Sequence, residues 1–146
     1  MGVHFEHDYP NASIRTITIS GDNITGLQEC RSITSLDVSR CVELTKLSFI
    51  QSPITSLDVS KNTVLKEFWG GGTLLTSLDF SKNTVLSNMA CFGNFTATAL
   101  NALFRTLHGN DVGVEKQIII GSITREGEAE CDRSIAERKG WTFRQY

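Results

Sequence analysis

The sequence predicts an α/β fold: a short solenoid of stacked units on a parallel β-sheet, closed by a helix–strand C-terminal cap. Three observations carry this. The phrases Ile33-Thr-Ser-Leu-Asp-Val-Ser39, Ile54-Thr-Ser-Leu-Asp-Val-Ser60 and Leu75-Thr-Ser-Leu-Asp-Phe-Ser81 recur at a fixed step of 21 residues, a period that marks stacked supersecondary units. Apolar residues within the copies keep one common register. From residue 98 onward the apolar spacing becomes helical, as the end of a stack must differ from its middle.

Composition sets the frame. At 146 residues the chain has room for one domain with a substantial core. We divide it into an N-terminal strand region (1–23), three to four repeats (24–96) and a cap (97–146). Forty per cent apolar and 21 per cent charged residues are ordinary globular values. A net charge of −2 gives no electrostatic case for nucleic acid or an anionic membrane. No apolar run approaches the ~20 residues that span a bilayer. The start, Met1-Gly-Val-His-Phe-Glu-His-Asp8, has acids where a leader would be charged and then apolar. Together with the abrupt entry into a strand pattern, this gives the expectation of a fragment of a longer exported chain. Cys30, Cys41, Cys91 and Cys131 contain no CxxC pair and have no histidine at ligand spacing, so they read as reduced core thiols and not as a zinc site.

Taken in order, Ser13-Ile-Arg-Thr-Ile-Thr-Ile-Ser20 alternates and reads as a strand, with Ile14, Ile17 and Ile19 on one side. His4, His7 and Asp8 before it read as polar residues of a terminus, not a metal site. A leucine-rich pattern then fits every copy: Leu44-xx-Leu47-x-Phe49, Leu65-xx-Phe68-x-Gly70 and Leu86-xx-Met89-x-Cys91, with a shorter first copy at Ile24-xx-Leu27. Positions 27, 47, 68 and 89 are equivalent, and they are expected to stack as parallel strands. Asp37, Asp58 and Asp79 recur one unit apart. A cation-binding column is one reading; the other is that short polar side chains satisfy local N–H groups in each return limb, and this is the one adopted. The same argument makes Asn62 and Asn83 turn residues, with Cys41 standing at the equivalent place. In the cap, Leu100, Leu103, Phe104 and Leu107 place a helix over 98–108, Gln117–Gly121 reads as a buried strand, Glu128–Lys139 as a second helix with acids early and bases late, and Trp141–Phe143 as a last strand.

The phrase LTSLDVSKNTxL resembles the leucine-rich-repeat surface proteins of Bacteroidetes bacteria. The ending does too, in Ala99-Leu-Asn-Ala-Leu-Phe104, Cys131-Asp-Arg-Ser-Ile-Ala136 and Lys139-Gly-Trp-Thr142. The resemblance covers nearly the whole chain. It implies a short leucine-rich-repeat solenoid in an extracytoplasmic, surface-associated interaction protein, and it brings no catalytic motif. The chain departs from the phrase at Glu67-Phe-Trp-Gly-Gly-Gly72 and Ser48-Phe-Ile-Gln-Ser-Pro53, which puts the regularity of those two turns in question.

No reaction is legible. Gly70-Gly71-Gly72 lacks the Lys-Ser/Thr of a phosphate loop, and there is no GxSxG, HExxH or triad. His108 at a helix end reads as a dipole partner. The expectation is therefore a non-catalytic binding module, monomeric, without cofactor or metal, for a protein or glycan ligand; the alternative is a structural spacer within a longer surface protein. If Leu44, Leu47 and Phe49 point inward, alternation turns Lys46, Ser48, Glu67, Trp69, Asn88 and Ala90 outward on the concave face. Trp69, Glu67, Lys46 and Asn88, with Ile50 and Phe92 just past the strands, form the candidate ligand patch. An exposed tryptophan is a common hot spot, though Trp69 tucked against a neighbouring unit is the competing reading.

Overall fold

A computed structural model of the chain describes residues 23–122 and 130–145. The strand expected over 13–20 and the residues His4, His7 and Asp8 lie outside the described residues. Among those described, six strands form one parallel sheet in chain order. They are β1 (Gly26–Arg31), β2 (Lys46–Ile50), β3 (Glu67–Gly71), β4 (Asn88–Gly93), β5 (Lys116–Ser122) and β6 (Trp141–Arg144). Helix α1 (Ala97–Thr106) lies between β4 and β5, and α2 (Ser134–Glu137) between β5 and β6. The class is α/β, with a parallel sheet and few helices.

The equivalence of positions 27, 47, 68 and 89 is seen directly in the register. Leu27 pairs with Leu47, Leu47 with Phe68 and Phe68 with Met89. Ile118 and Phe143 continue the row on β5 and β6. The shortened first copy is absorbed by an irregularity between Leu27 and Cys30 on β1. The two departing turns are regular. Pairing runs unbroken from Lys46↔Glu67 to Ile50↔Gly71, and Gln51 and Gly72 share the left-handed conformation at φ 50° and 62°. The Ser52 hydroxyl donates to the Ile50 carbonyl at 3.1 Å and lies 3.4 Å from the Cys30 carbonyl on the preceding strand, so this turn is tied to its neighbour.

The return limbs repeat bond for bond. Asp37, Asp58 and Asp79 accept from the N–H of Ser39, Ser60 and Ser81 at 2.9, 2.8 and 2.7 Å. These bonds hold each carboxyl below its usual range, as charge-assisted turn bonds do. Asn62 and Asn83 do more than turn the chain. Both are fully buried. The Asn62 amide donates to Val38 O (3.0 Å) and Cys41 O (2.8 Å), and the Asn83 amide to Val59 O (3.0 Å) and Asn62 O (2.8 Å). Each asparagine thus ties its unit to the one before. Two facing carbonyls demand two N–H donors, which fixes the orientation of the amide and leaves Oδ1 without a partner.

The core runs behind the sheet. Phe68 makes edge-on contacts with Phe49 (5.6 Å) and Phe80 (5.1 Å). Gly70 makes room for this, since a Cβ there would sit 3.0 Å from the Phe68 ring and 3.4 Å from Phe49.

The cap closes the last unit through α1 and the loop after it. Thr96 Oγ1 accepts from Ala99 N–H at 3.2 Å, and Leu100, Leu103 and Phe104 face the core. The helix ends at Thr106, short of the expected His108. There Phe80 N–H donates to Thr106 Oγ1, and the Asn110 amide donates to Thr84 O. Two backbone groups of the segment before β4, Phe80 N–H and Thr84 O, thus find their partners on α1 and the loop after it.

Two sequence expectations are corrected here. The helix over 128–139 is not continuous: among described residues it breaks at 131–133 and α2 holds only Ser134–Glu137. Asp132 is the reason, because its N–H donates to Asn101 Oδ1 while its carboxylate accepts the N–H and hydroxyl of Ser134. His108 is not a charged dipole partner. Its Nδ1 accepts from Asn110 N–H and its Nε2 lies 2.8 Å from Leu86 O, which sets the neutral Nε2–H tautomer. Lys139 takes the helix end instead, donating to the carbonyls of Phe104, Arg105 and Leu107.

A pH prediction arises from this cluster. Burial holds His108 below its ordinary 6.5, and the nearby Lys116 and Lys139 charges add to that. The unfolded chain therefore binds the proton more readily, so this contribution to stability is present above pH 6.5 and is lost as the pH falls through it. Urea midpoints at about pH 7.5 and about pH 5.5 are expected to differ less in His108→Gln than in the parent chain. An unchanged difference would refute the assignment.

Candidate functional site

Parallel register and strand alternation decide which side chains share the face opposite the core. Three rows cross the strands. The first runs Lys46, Glu67, Asn88, Gln117, Thr142; the second Ser48, Trp69, Ala90, Ile119, Arg144; the third Ile50, Gly71, Phe92, Gly121. All six residues singled out from sequence lie on this one face.

Their environments differ. Trp69 is 37% exposed, so it is not tucked into a neighbouring unit. Ser48 and Ala90, its neighbours in the row, are small, and Ala90 is itself buried, contrary to expectation. A methyl group in register between Trp69 and Ile119 has no room to reach solvent. Lys46 and Glu67 form an ion pair at 2.8 Å, so they meet each other before any ligand. Asn88 is half-buried between Glu67 and Gln117 in the register. Ile50 and Phe92 belong to β2 and β4 themselves and do not lie past them. Each leans over a glycine: a Cβ on Gly71 would meet Ile50 Cγ2 at 3.1 Å, and one on Gly121 would meet Phe92 Cδ1 at 2.6 Å.

The cap adds residues that sequence reasoning missed. Ile119 and Gln117 come from β5, where a buried strand is expected over Gln117–Gly121; Ile118 and Ile120 are buried, but alternation leaves Gln117 and Ile119 half-buried on this face. Arg144, on β6, pairs with Glu115 at 2.8 Å, and Glu115 also accepts from the Gln117 amide. These bonds, that of Gln117 first, hold the Glu115 carboxyl below its usual range. The alternation of Trp141-Thr-Phe-Arg144 was the available signal. A shallow groove of about 980 Å³ borders the first row, with Glu67, Asn88, Gln117, Val85 and Val114 among its walls.

Two carboxylates at this face, Glu67 and Glu115, are each paired with a cation, Lys46 and Arg144. Among the described residues no group of three or more His, Cys, Asp or Glu side chains is placed to hold a metal ion. No described helix is long and apolar enough to cross a membrane. All four cysteines are free thiols; burial pushes Cys91 up to about 12, out of reach of thiolate chemistry. Comparisons with protein-family profiles, with curated proteins and with solved structures return no match.

Proposed function

We propose that the chain is a short leucine-rich-repeat recognition module, a monomeric and non-catalytic part of an extracytoplasmic surface protein, that binds a protein or glycan on the concave face centred on Trp69. The repeat reading is supported by the 21-residue step that relates β2, β3 and β4 in the register and recurs in the Asn62 and Asn83 bonds. The single observation that carries the binding reading is the 37% exposure of Trp69 between small neighbours. A large rigid ring kept in solvent costs hydration free energy, and ligand burial recovers it. The alternative is a spacer within a longer surface protein. It is favoured by one observation, that the charged side chains on this face pair among themselves.

The test is capture from protein and glycan arrays by the 146-residue chain and by Trp69→Ala. Loss of about tenfold or more in affinity, with circular dichroism unchanged, is expected. Equal capture by both forms would reject the face, and no capture by either would favour the spacer.

A further inference from the structure

We infer that the Trp69 face takes a neutral, linear oligosaccharide lying across the strands, with about one sugar ring per strand. This rests on the recognition reading above and names its ligand class. Three properties of the face point there and away from a peptide.

Charge comes first. Lys46 closes on Glu67 and Arg144 on Glu115, each at 2.8 Å. A charged peptide would compete with one of these half-exposed pairs for its contact. An uncharged ligand leaves both intact, so it is the electrostatic complement of the face.

Spacing comes second. Glu67, Asn88 and Gln117 stand in register on adjacent strands, ~4.8 Å apart. Such a row offers one planar polar group per step across the sheet. The repeat of a sugar chain is close to that step, so successive rings each meet one polar group, although Glu67 already holds Lys46 and the Gln117 amide already donates to Glu115. An extended peptide advances only ~3.3 Å per residue and loses step at once. The Asn88 amide, half-buried, makes no side-chain hydrogen bond among the described residues and can both donate to and accept from hydroxyls. The adjoining groove of about 980 Å³ gives the chain room on that side.

The third property is the platform. Trp69 follows Glu67 by two residues, so its ring stands on the same face one row further along. One ring can receive the C–H face of a sugar while the row beside it takes the hydroxyls. Ile50 and Phe92, half-buried and leaning over Gly71 and Gly121, stand in the next row beyond Trp69.

Calorimetry and tryptophan fluorescence with neutral β-linked gluco-, manno- and xylo-oligosaccharides, from monosaccharide to hexasaccharide, test this on the intact chain. In at least one series, affinity should rise with length and level off at about four rings, matching β2 to β5. The fluorescence response should come from Trp69, since Trp141 is buried. Trp69→Ala should weaken binding by about tenfold or more and Asn88→Ala by several-fold, with circular dichroism confirming the fold. Phage-displayed peptides form the second arm. No oligosaccharide binding, binding without length dependence, or binding indifferent to both substitutions overturns the inference. Peptide capture that depends on Trp69, without sugar binding, overturns it while leaving the recognition face standing. Trp69-independent results in both arms overturn the two together.

Discussion

Asn83→Asp is expected to destabilise the protein by about 3–5 kcal/mol at neutral pH, although the two side chains have nearly the same shape. The amide nitrogen of Asn83 faces two buried carbonyls, Val59 O at 3.0 Å and Asn62 O at 2.8 Å. A carboxylate there would set oxygen against oxygen in a site with no exposure, so the group would be driven to stay protonated in the fold. The sign follows. A carboxyl raised in the folded state contributes stability below its unfolded value near 3.9 and loses it as pH rises through the raised value. Asp37, Asp58 and Asp79, lowered from 3.8, lose their contribution as pH falls, but they do so in variant and parent alike and cancel in the gap. The gap between variant and parent should therefore narrow on acidification. Urea unfolding at several pH values measures it, and a gap that is constant with pH would sink the account.

Phe68→Ala is expected to cost about 3–5 kcal/mol. Phe68 is fully buried and touches Phe49 and Phe80 edge-on. Collapse cannot refill the space, because the backbone on both sides is fixed by parallel pairing with β2 and β4, and Gly70 next to the ring brings no side chain of its own. Phe68→Leu should lose less than half as much, since it keeps most of the volume. Denaturant midpoints at constant m-value report both numbers; equal losses for Ala and Leu would show that the ring contacts, not the volume, matter.

The repeats were legible because their period is written in the residues themselves. A 21-residue phrase with fixed apolar positions already pairs Leu47 with Phe68 and Phe68 with Met89. The capping role of Asp58 and Asp79 was legible for the same reason, being a bond between residues two apart. Asn62 and Asn83 were only half legible. Their turns are local, but their amides bond 21 and 24 residues back, and spacing in a sequence does not say which neighbour lies within reach. The cap was read least well. The run of isoleucines in β5 hid which of them faces out, and Asp132 broke a helix that charge order favoured, through a bond to Asn101 on α1.

The candidate face divides in the same way. Alternation alone put Lys46, Glu67, Trp69 and Asn88 on one side of the sheet. Only tertiary structure decided that Lys46 and Glu67 neutralise each other, that Ala90 is covered, that Ile50 and Phe92 lean over glycines, and that Arg144 and Gln117 join from the cap. By itself the sequence determined periodicity, register and the direction of each repeat side chain, since these follow from the 21-residue step and from alternation along each strand. The tertiary structure decided exposure, ion pairing and which side chains of the last two strands join the face, because these depend on which segments, distant in sequence, come to lie ~5 Å apart.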